Sequence, residues 1–275
     1  MKKYLAIAMA ALLLVCTLAS CANGSDGSIG DYTPEVDYLT TEAGTFYFEE
    51  GDGDTAILVN YVGKATSGDK VTVPAAFGDR VVTAIGDKAF YNLAAVVAIE
   101  IPETILEIGD YAFARCTELT EVKLPSSVLS IGEGAFIECT ALTKVTLSES
   151  LESIGDKAFN GCTALSDIAL PEFLETIGNG AFAFCESLPA LKVPASVTTI
   201  GEMAYTDCIG LETITFESDE TEIKAHAFEN ADGTNLKDRF DLTGLGEESK
   251  VVTYVKALSD SPVTEAPEAE VVDPE

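Results

Sequence analysis

The stretch IGDYAFARCTELTEVKLP, residues 108–125, is one copy of a unit that recurs along the chain and decides its fold. Its first isoleucine returns every 23 residues without an insertion, at Ile85, Ile108, Ile131, Ile154, Ile177, Ile200 and Ile223. Alanine follows four positions after each isoleucine, and an aromatic residue follows at the fifth. Self-similarity at a short fixed period predicts a solenoid of units that stack and share one core.

Each unit divides into two predicted elements. Phe113, Cys116 and Leu119 lie three residues apart, a spacing that predicts one face of a short helical turn. Gly109 would supply backbone angles for entry into that turn. Asp110 would then lie near its free N–H groups, where acidic side chains are favourable.

The second element of each unit is a short strand. Val122 and Leu124 alternate with Lys123, and Pro125 ends the run. Stacked units place these strands in parallel. The sequence therefore predicts a right-handed α/β solenoid of the leucine-rich-repeat type, with short parallel strands on one face and short helical turns on the other.

The regular repeat covers residues 85–231, and both of its ends need caps. Residues 46–61 alternate around an acidic turn and predict a β-hairpin, and residues 71–74 predict a first irregular strand. The N-terminal cap with this irregular repeat therefore covers residues 41–84. Residues 240–242 and 250–257 are candidate closing strands of a C-terminal cap at 232–257.

The first twenty residues have the layout of a secretory signal: Lys2 and Lys3, then an apolar run ending in Leu18-Ala19-Ser20-Cys21. This ending resembles a bacterial lipobox, which implies cleavage before Cys21 and lipidation of its thiol. The alternative is an ordinary signal peptide with an incidental cysteine. Residues 21–40 would form a flexible tether, and residues 258–275 an acidic disordered tail.

The chain is strongly acidic. Removal of Lys2 and Lys3 leaves 46 acidic and 14 basic side chains, a formal charge of −32. Such a charge repels nucleic acid and anionic lipid headgroups, so we expect no nucleic-acid partner and membrane association only through the lipid anchor.

The phrases IGDKAF, IGDYAF and IGEGAF, the Cys-x-x-Leu step and the strand-ending proline resemble the BspA-like leucine-rich repeat proteins. The resemblance covers residues 62–231. It implies a bacterial cell-surface protein, and several members of the family are adhesins. With the signal sequence and lipobox, we expect an exported protein that is lipid-anchored to the cell membrane or outer membrane and exposed at the surface. The resemblance does not identify the ligand, because a shared scaffold does not fix function. This chain departs from the pattern at Leu93 and Ala231 for cysteine, Lys224 for glycine, and Ser148 and Glu217 for proline.

No residue pattern in the chain predicts catalysis, a metal site or a cofactor. The cysteine column, Cys116 to Cys208, fills a slot that also accepts Leu93, which favours buried free thiols over disulfides. His226, the single histidine, occupies a variable slot and is expected to face solvent. Asp52-Gly53-Asp54 is interpreted as a hairpin turn, because Gly63 stands where a helix-flanked calcium loop needs glutamate.

If the apolar strand residues point inward, eighteen others lie on the opposite, concave side, here called the strand face. Twelve are threonine or charged and are the predicted partner-binding residues: Glu100, Thr120, Glu121, Lys123, Thr143, Lys144, Thr146, Asp167, Lys192, Glu212, Thr213 and Thr215. The other six are Val97, Ala98, Ser166, Ala169, Pro189 and Ala190. Four acids and three lysines give this face a charge of −1.

A nearly neutral face on a strongly acidic body favours docking of a protein or glycan partner on that face. Together with the lipobox, the resemblance implies a lipid-anchored surface module whose partner is host matrix or another cell surface. The face has neither aromatic residues nor arginine, so it could also be a plain solvated sheet. The alternative function is a structural lipoprotein that scaffolds an envelope complex of the producing bacterium.

Overall fold

The computed structural model describes residues 37–63, 69–218 and 221–229, and the backbone of two further strands at 252–255 and 270–271. The predicted signal sequence, Cys21 and the candidate strand at 240–242 lie outside these residues. The described residues form twenty strands, numbered β1 to β20 in chain order. They include no helix long and apolar enough to cross a membrane.

The recurring isoleucines form a ladder of parallel strands, here called the isoleucine ladder. Each strand ends at an isoleucine that lies opposite the isoleucine of the next repeat, as Ile131 lies opposite Ile154. The strands are β6 (Arg80–Ile85), β8 (Glu107–Ile108), β10 (Ser130–Ile131), β12 (Ser153–Ile154), β14 (Thr176–Ile177), β16 (Thr199–Ile200) and β18 (Glu222–Ile223). The sequence reading placed a turn here and missed this ladder.

The predicted strands form a second parallel ladder, here called the strand-face ladder. Its first part pairs β4 (Asp69–Thr72), β7 (Val96–Glu100), β9 (Glu121–Lys123), β11 (Lys144–Thr146) and β13 (Asp167–Ile168) in order. Its second part pairs β15 (Ala190–Val193) with β17 (Thr213–Phe216), followed by antiparallel β19 (Val252–Val255) and β20 (Glu270–Val271). The sheet topology does not join β13 to β15.

The N-terminal cap is the antiparallel hairpin of β2 (Gly44–Glu50) and β3 (Thr55–Gly63), flanked by β1 (Asp37–Thr40). β5 (Ala76–Phe77) pairs with β6. β3 also pairs in parallel with β6, with Leu58 opposite Ile85, so the hairpin starts the isoleucine ladder. β1 uses the last four residues assigned to the tether, and β20 lies inside the segment expected to be a disordered tail.

The predicted helical turns are wrong: the described residues contain no helix. The reason is the backbone at the third and seventh residues after each isoleucine. Tyr111 and Arg115, for example, have φ of 56° and 62°, in the left-handed region, and the equivalent residues have positive φ in every other repeat wherever the structure describes them. Left-handed residues interrupt a right-handed helix, so each unit makes tight turns. The N–H groups of Tyr111, Phe113 and Arg115 instead bond to carbonyls of the next repeat.

The glycine after each isoleucine is needed for close approach rather than for its backbone angles. A Cβ added at Gly155 would lie 2.7 Å from the carbonyl carbon of Gly132, and none of these glycines has a positive φ. The following acid does not begin a helix either. Asp110 Oδ1 accepts the N–H of Glu133 at 2.7 Å, and Asp87 and Asp156 bind the next repeat in the same way. The glycine and the acid that follows it therefore both serve to hold neighbouring repeats together.

A column of aromatic rings fills the interior. Stacked rings run from Phe90 through Phe113, Phe136, Phe159, Phe182 and Tyr205 to Phe228, with centroids 5.1–5.3 Å apart. Tyr61 of the cap adds a ring 5.4 Å from Phe90. The inward residues Leu119, Val122 and Leu124 are buried as predicted.

Candidate binding surface

The eighteen strand-face residues all keep contact with solvent. Fourteen are exposed, and Val97, Ala98, Thr213 and Thr215 are half-buried. They lie on β7, β9, β11, β13, β15 and β17 or directly beside these strands. Parallel pairing stacks them in rows, as Lys144 lies opposite both Glu121 and Asp167.

Two of the three lysines on this face are paired within it or at its edge. Lys144 Nζ lies 2.6 Å from Asp167, and Lys192 Nζ lies 2.6 Å from Glu217. These contacts raise the pKa of both ammonium groups, chiefly through the hydrogen bond to the carboxylate. Lys123 makes no ion pair with any residue in the described part of the chain. It is thus the lysine whose charge is most available to a partner.

The strand-face ladder is interrupted at Pro189. The residue at this slot normally donates its N–H to the preceding repeat, as Thr143 does to Thr120 at 2.9 Å and Ser166 does to Thr143 at 3.0 Å. Proline has no N–H, so the equivalent bond to the Ser166 carbonyl cannot form. Ile168 is only half-buried as a result, whereas its counterpart Val145 is 2% exposed.

This break, defined as the gap between β13 and β15, opens a cavity of about 190 Å³. The exposed residues Ala169, Ala190 and Lys192 lie at its mouth, so it opens onto the strand face. Two residues of the aromatic column, Phe182 and Tyr205, are also among its lining residues. The sequence analysis missed this cavity, although a proline was visible in a slot that elsewhere holds residues with an N–H: Val97, Thr120, Thr143, Ser166 and Glu212.

A second hollow, of about 580 Å³, lies on the turn edge between Lys157 and Glu229. It exists because Gly180 leaves space: the nearest atom to an added Cβ would be Lys157 Cγ at 3.5 Å. The same slot at Gly134 is closed, because the Tyr111 ring would lie 2.5 Å from an added Cβ. Phe184 and Met203 are exposed beside the open hollow.

The five repeat cysteines are free and buried. Each thiol donates to a phenylalanine carbonyl of the preceding repeat, as Cys162 Sγ does to Phe136 at 3.2 Å. Burial raises the pKa of Cys116, Cys162 and Cys208 to about 12, and it raises those of Cys139 and Cys185 as well. These thiols are therefore neutral core groups, poorly suited to act as nucleophiles or metal ligands.

The remaining candidates lie where the sequence placed them. His226 is exposed, with φ of 58°, and its Nδ1 contacts Glu229. Asp52 belongs to the turn between β2 and β3, where its carbonyl accepts the Thr55 hydroxyl at 2.8 Å and Gly53 has φ of 64°. Over the described residues, no three acidic, histidine or cysteine side chains meet in a metal-binding arrangement.

Comparison with known proteins gives one family. The model of the BspA type leucine-rich repeat region matches in six copies, over residues 83–209 and 130–248. The search of curated proteins gives no significant match.

Solved structures of bacterial leucine-rich repeat proteins are similar to the chain. A leucine-rich repeat protein of T. pallidum is 27% identical with a TM-score of 0.65, and the match covers 78% of this chain and 96% of that one. A leucine-rich cell surface protein of Faecalibacterium prausnitzii is 29% identical with a TM-score of 0.51, covering 72% and 56%. A leucine-rich repeat protein from Bacteroides ovatus is 27% identical with a TM-score of 0.51, covering 75% and 57%. The chain thus spans a little over half of the last two.

Proposed function

Since the chain belongs to the family of BspA-type leucine-rich repeat proteins, we propose that it is a lipid-anchored cell-surface module whose strand face binds a protein or glycan partner. Repeat proteins of this type are commonly surface or binding modules. Host matrix and other cell surfaces are the partners that the resemblance favours. Catalysis is not part of the proposed function.

One observation carries the proposal: the strand face is the nearly neutral part of a very acidic protein. Its eighteen positions carry a net charge of −1 on a chain of −30. Acidic side chains instead lie along the turn edge, as Asp87, Asp110, Glu133 and Asp156 do. A partner that approaches the strand face meets less repulsion and loses less charge solvation than one that approaches the turn edge.

The test uses the mature chain with Cys21→Ser, immobilised and exposed to host matrix proteins, glycans and the producer's envelope fraction. Lys123→Glu is the sharpest variant, because Lys144→Glu and Lys192→Glu would also break ion pairs. We expect Lys123→Glu to weaken retention about three- to tenfold. The matched control is Lys157→Glu, the same charge change at an exposed turn-edge residue.

Loss of retention with Lys157→Glu but not with Lys123→Glu would contradict the strand face as the contact surface. Protease treatment of intact cells tests the location. The surface module predicts cleavage, whereas complete protection would favour the scaffold of an envelope complex. Radiolabelled palmitate incorporation that persists in Cys21→Ser would contradict the lipid anchor at this residue.

A further inference from the structure

The hollow on the turn edge, here called the turn-edge hollow, has an apolar lining that solvent reaches. Phe184 is 42% exposed and Met203 is 51% exposed, and both line the hollow together with the small, buried Ala183. Its volume of about 580 Å³ lies within the range of roughly 300–1,000 Å³ that is typical of ligand sites. The turn-edge hollow can therefore take up a whole side chain of a partner.

The lining also carries an excess of negative charge. Glu202, Asp207 and Glu229 contribute three carboxylates against the one ammonium of Lys157, a net charge of −2 with His226 neutral. Glu202 is exposed and directly precedes Met203, and its carboxylate makes no ion pair with any residue that the structure describes. The Lys157 backbone lies two repeats away, roughly 10 Å at one strand spacing per repeat. A carboxylate beside exposed apolar surface favours a cation with an apolar stem.

The first repeats show this combination of groups satisfied within the chain. Lys88 Nζ lies 5.9 Å from the centroid of the Tyr111 ring, and the Tyr111 hydroxyl contacts Glu133. Lys88 and Tyr111 occupy the third position after the isoleucine of their repeats, which is the position of Gly180. At Gly180 there is no side chain, so the chain leaves space where an earlier repeat places its own cation.

We propose that the turn-edge hollow receives a basic side chain, of arginine or lysine, from a protein partner. The aliphatic stem of this side chain packs against Phe184 and Met203, and its charged end pairs with Glu202. Both the aromatic ring and the carboxylate favour a cation, whereas an acidic side chain would be repelled by the net negative lining. The hollow lies away from the strand face, so it adds to the proposed function a second contact of different chemistry.

The test uses NMR titration of the mature chain with Cys21→Ser by three probes. They are acetyl-Gly-Arg-Gly-amide, the same tripeptide with citrulline in place of arginine, and methylguanidinium. Citrulline has nearly the shape of arginine without its charge. We expect the arginine peptide to bind at least about threefold more tightly than the citrulline peptide, the combined effect of a cation–π contact and an exposed ion pair.

Two variants test the hollow itself. Gly180→Met fills it, and this variant should fold because Met203 holds φ of 55° at the equivalent position and Gly180 has φ of 59°. It should abolish binding of the arginine peptide. Phe184→Asn removes the ring and should weaken binding about two- to fivefold; Asn92 occupies the same position with φ of 60°, so this variant should also fold.

Three charge variants test the direction of the effect. Glu202→Gln should weaken binding of the arginine peptide about two- to fivefold and leave the citrulline peptide unchanged. Lys157→Glu should instead strengthen binding of the arginine peptide. The matched control is Glu186→Gln, which changes an exposed glutamate outside the lining and should leave both affinities unchanged.

Equal affinity of the wild type for the two peptides, or unchanged binding of the arginine peptide to Gly180→Met, would overturn the proposal. Binding of methylguanidinium without the arginine peptide would identify a site for small free cations and exclude a partner's side chain. Partner retention that depends on Lys123, in a wild type that does not prefer the arginine peptide, would leave the strand face standing and remove the turn-edge hollow as a contact.

Discussion

The two ladders of this solenoid are built from the same repeats, yet one is continuous and the other is broken. The isoleucine ladder pairs every repeat with the next from β6 to β18, whereas the strand-face ladder stops between β13 and β15. Around the break, Ile177 still lies opposite Ile200 in the isoleucine ladder. The repeats therefore keep their stacking on one side while they separate on the other.

The difference shows what each ladder depends on. The isoleucine ladder is followed by a glycine that allows backbone contact between repeats, as at Gly155, and by an acid that binds the next repeat. In the strand-face ladder, the first hydrogen bond between neighbouring repeats uses one backbone N–H, and Pro189 lacks it. Whether a ladder continues from one repeat to the next thus depends on the residue at each contact position. A solenoid can therefore open one face without losing its core.

The largest effect is expected where the continuous ladder is broken deliberately. Gly155→Ala places a Cβ 2.7–2.8 Å from backbone atoms of the preceding repeat, which cannot move aside as a flexible side chain would. We expect the free energy of unfolding to fall by about 3 kcal/mol or more, measured by urea denaturation. The matched control is Gly180→Asn, whose backbone is left-handed and whose surroundings are open. It should cost less than about 1 kcal/mol, and equal losses for the two variants would contradict the close-approach explanation.

A second break in the strand-face ladder should cost less. Thr143→Pro removes the N–H that binds the Thr120 carbonyl at 2.9 Å and the hydroxyl that binds it at 3.0 Å. We expect a loss of about 1–3 kcal/mol in unfolding free energy. Thr143→Val keeps the N–H and should lose less. Hydrogen exchange in the isoleucine ladder around Ser130–Ile131 should stay slow in Thr143→Pro, and fast exchange there would show that the ladders are not independent.

The cysteine column tests whether the break exposes the interior. Cys162 has its pKa raised to about 12 by burial, so the folded protein keeps this thiol neutral between pH 9 and 12 while the unfolded chain ionises it. The folded state binds more protons in this window, and stability must fall as pH rises through it. Cys162→Val should reduce this fall by up to about 1.4 kcal/mol per pH unit, measured by urea denaturation at pH 8 to 10.5.

Thiol reactivity is a second measurement of whether the break exposes the interior. In the mature chain with Cys21→Ser, the five cysteines should react with a thiol reagent only as fast as the protein unfolds. Faster reaction of Cys162 or Cys185 alone would show that the break admits solvent to the core.

The smallest effect is expected on repair of the break. Pro189→Thr restores a donor for the Ser166 carbonyl, worth about 1 kcal/mol, and gives up a similar stabilisation that proline provides by restricting the unfolded chain. The net change should stay within about 1 kcal/mol. The informative measurement is the new amide at 189, which should exchange slowly if the ladder closes. An amide that exchanges at the free rate would mean that other contacts hold the strands apart.

The repeat sequence predicts the stacking, the buried side chains and the strand face, because each rests on periodicity that 23-residue spacing displays openly. Hence Leu119, Val122 and Leu124 are buried as expected. The helical turn was wrong because a three-residue spacing also fits tight turns with left-handed residues. Tyr111, Lys157 and Met203 adopt that backbone without being glycine or asparagine, so residue type gave no warning.

The cavity and the buried Tyr205 hydroxyl each arise from a residue found in one repeat only, so the periodicity of the sequence does not predict them. Pro189 and Tyr205 are departures from a pattern, and each departure alone reads as a tolerated variation. Their meaning depends on two neighbouring repeats at once. Pro189 lacks an N–H in one repeat, and Tyr205 of the next repeat lines the resulting cavity, so this adjacency requires the three-dimensional register.

The acceptor side chain that follows the repeat glycine has a consequence for how the gene can change. Asp110 accepts from Glu133, Asp156 accepts from Asn179, and Asn179 accepts from Glu202, so these repeats are joined by the same bond in the same register. Unequal recombination that deletes or duplicates a 23-residue segment would rejoin matching partners, and the protein could lengthen or shorten in whole units. The Tyr111 ring over Gly134 limits this freedom: loss of residues 131–153 would set that ring against Lys157 instead.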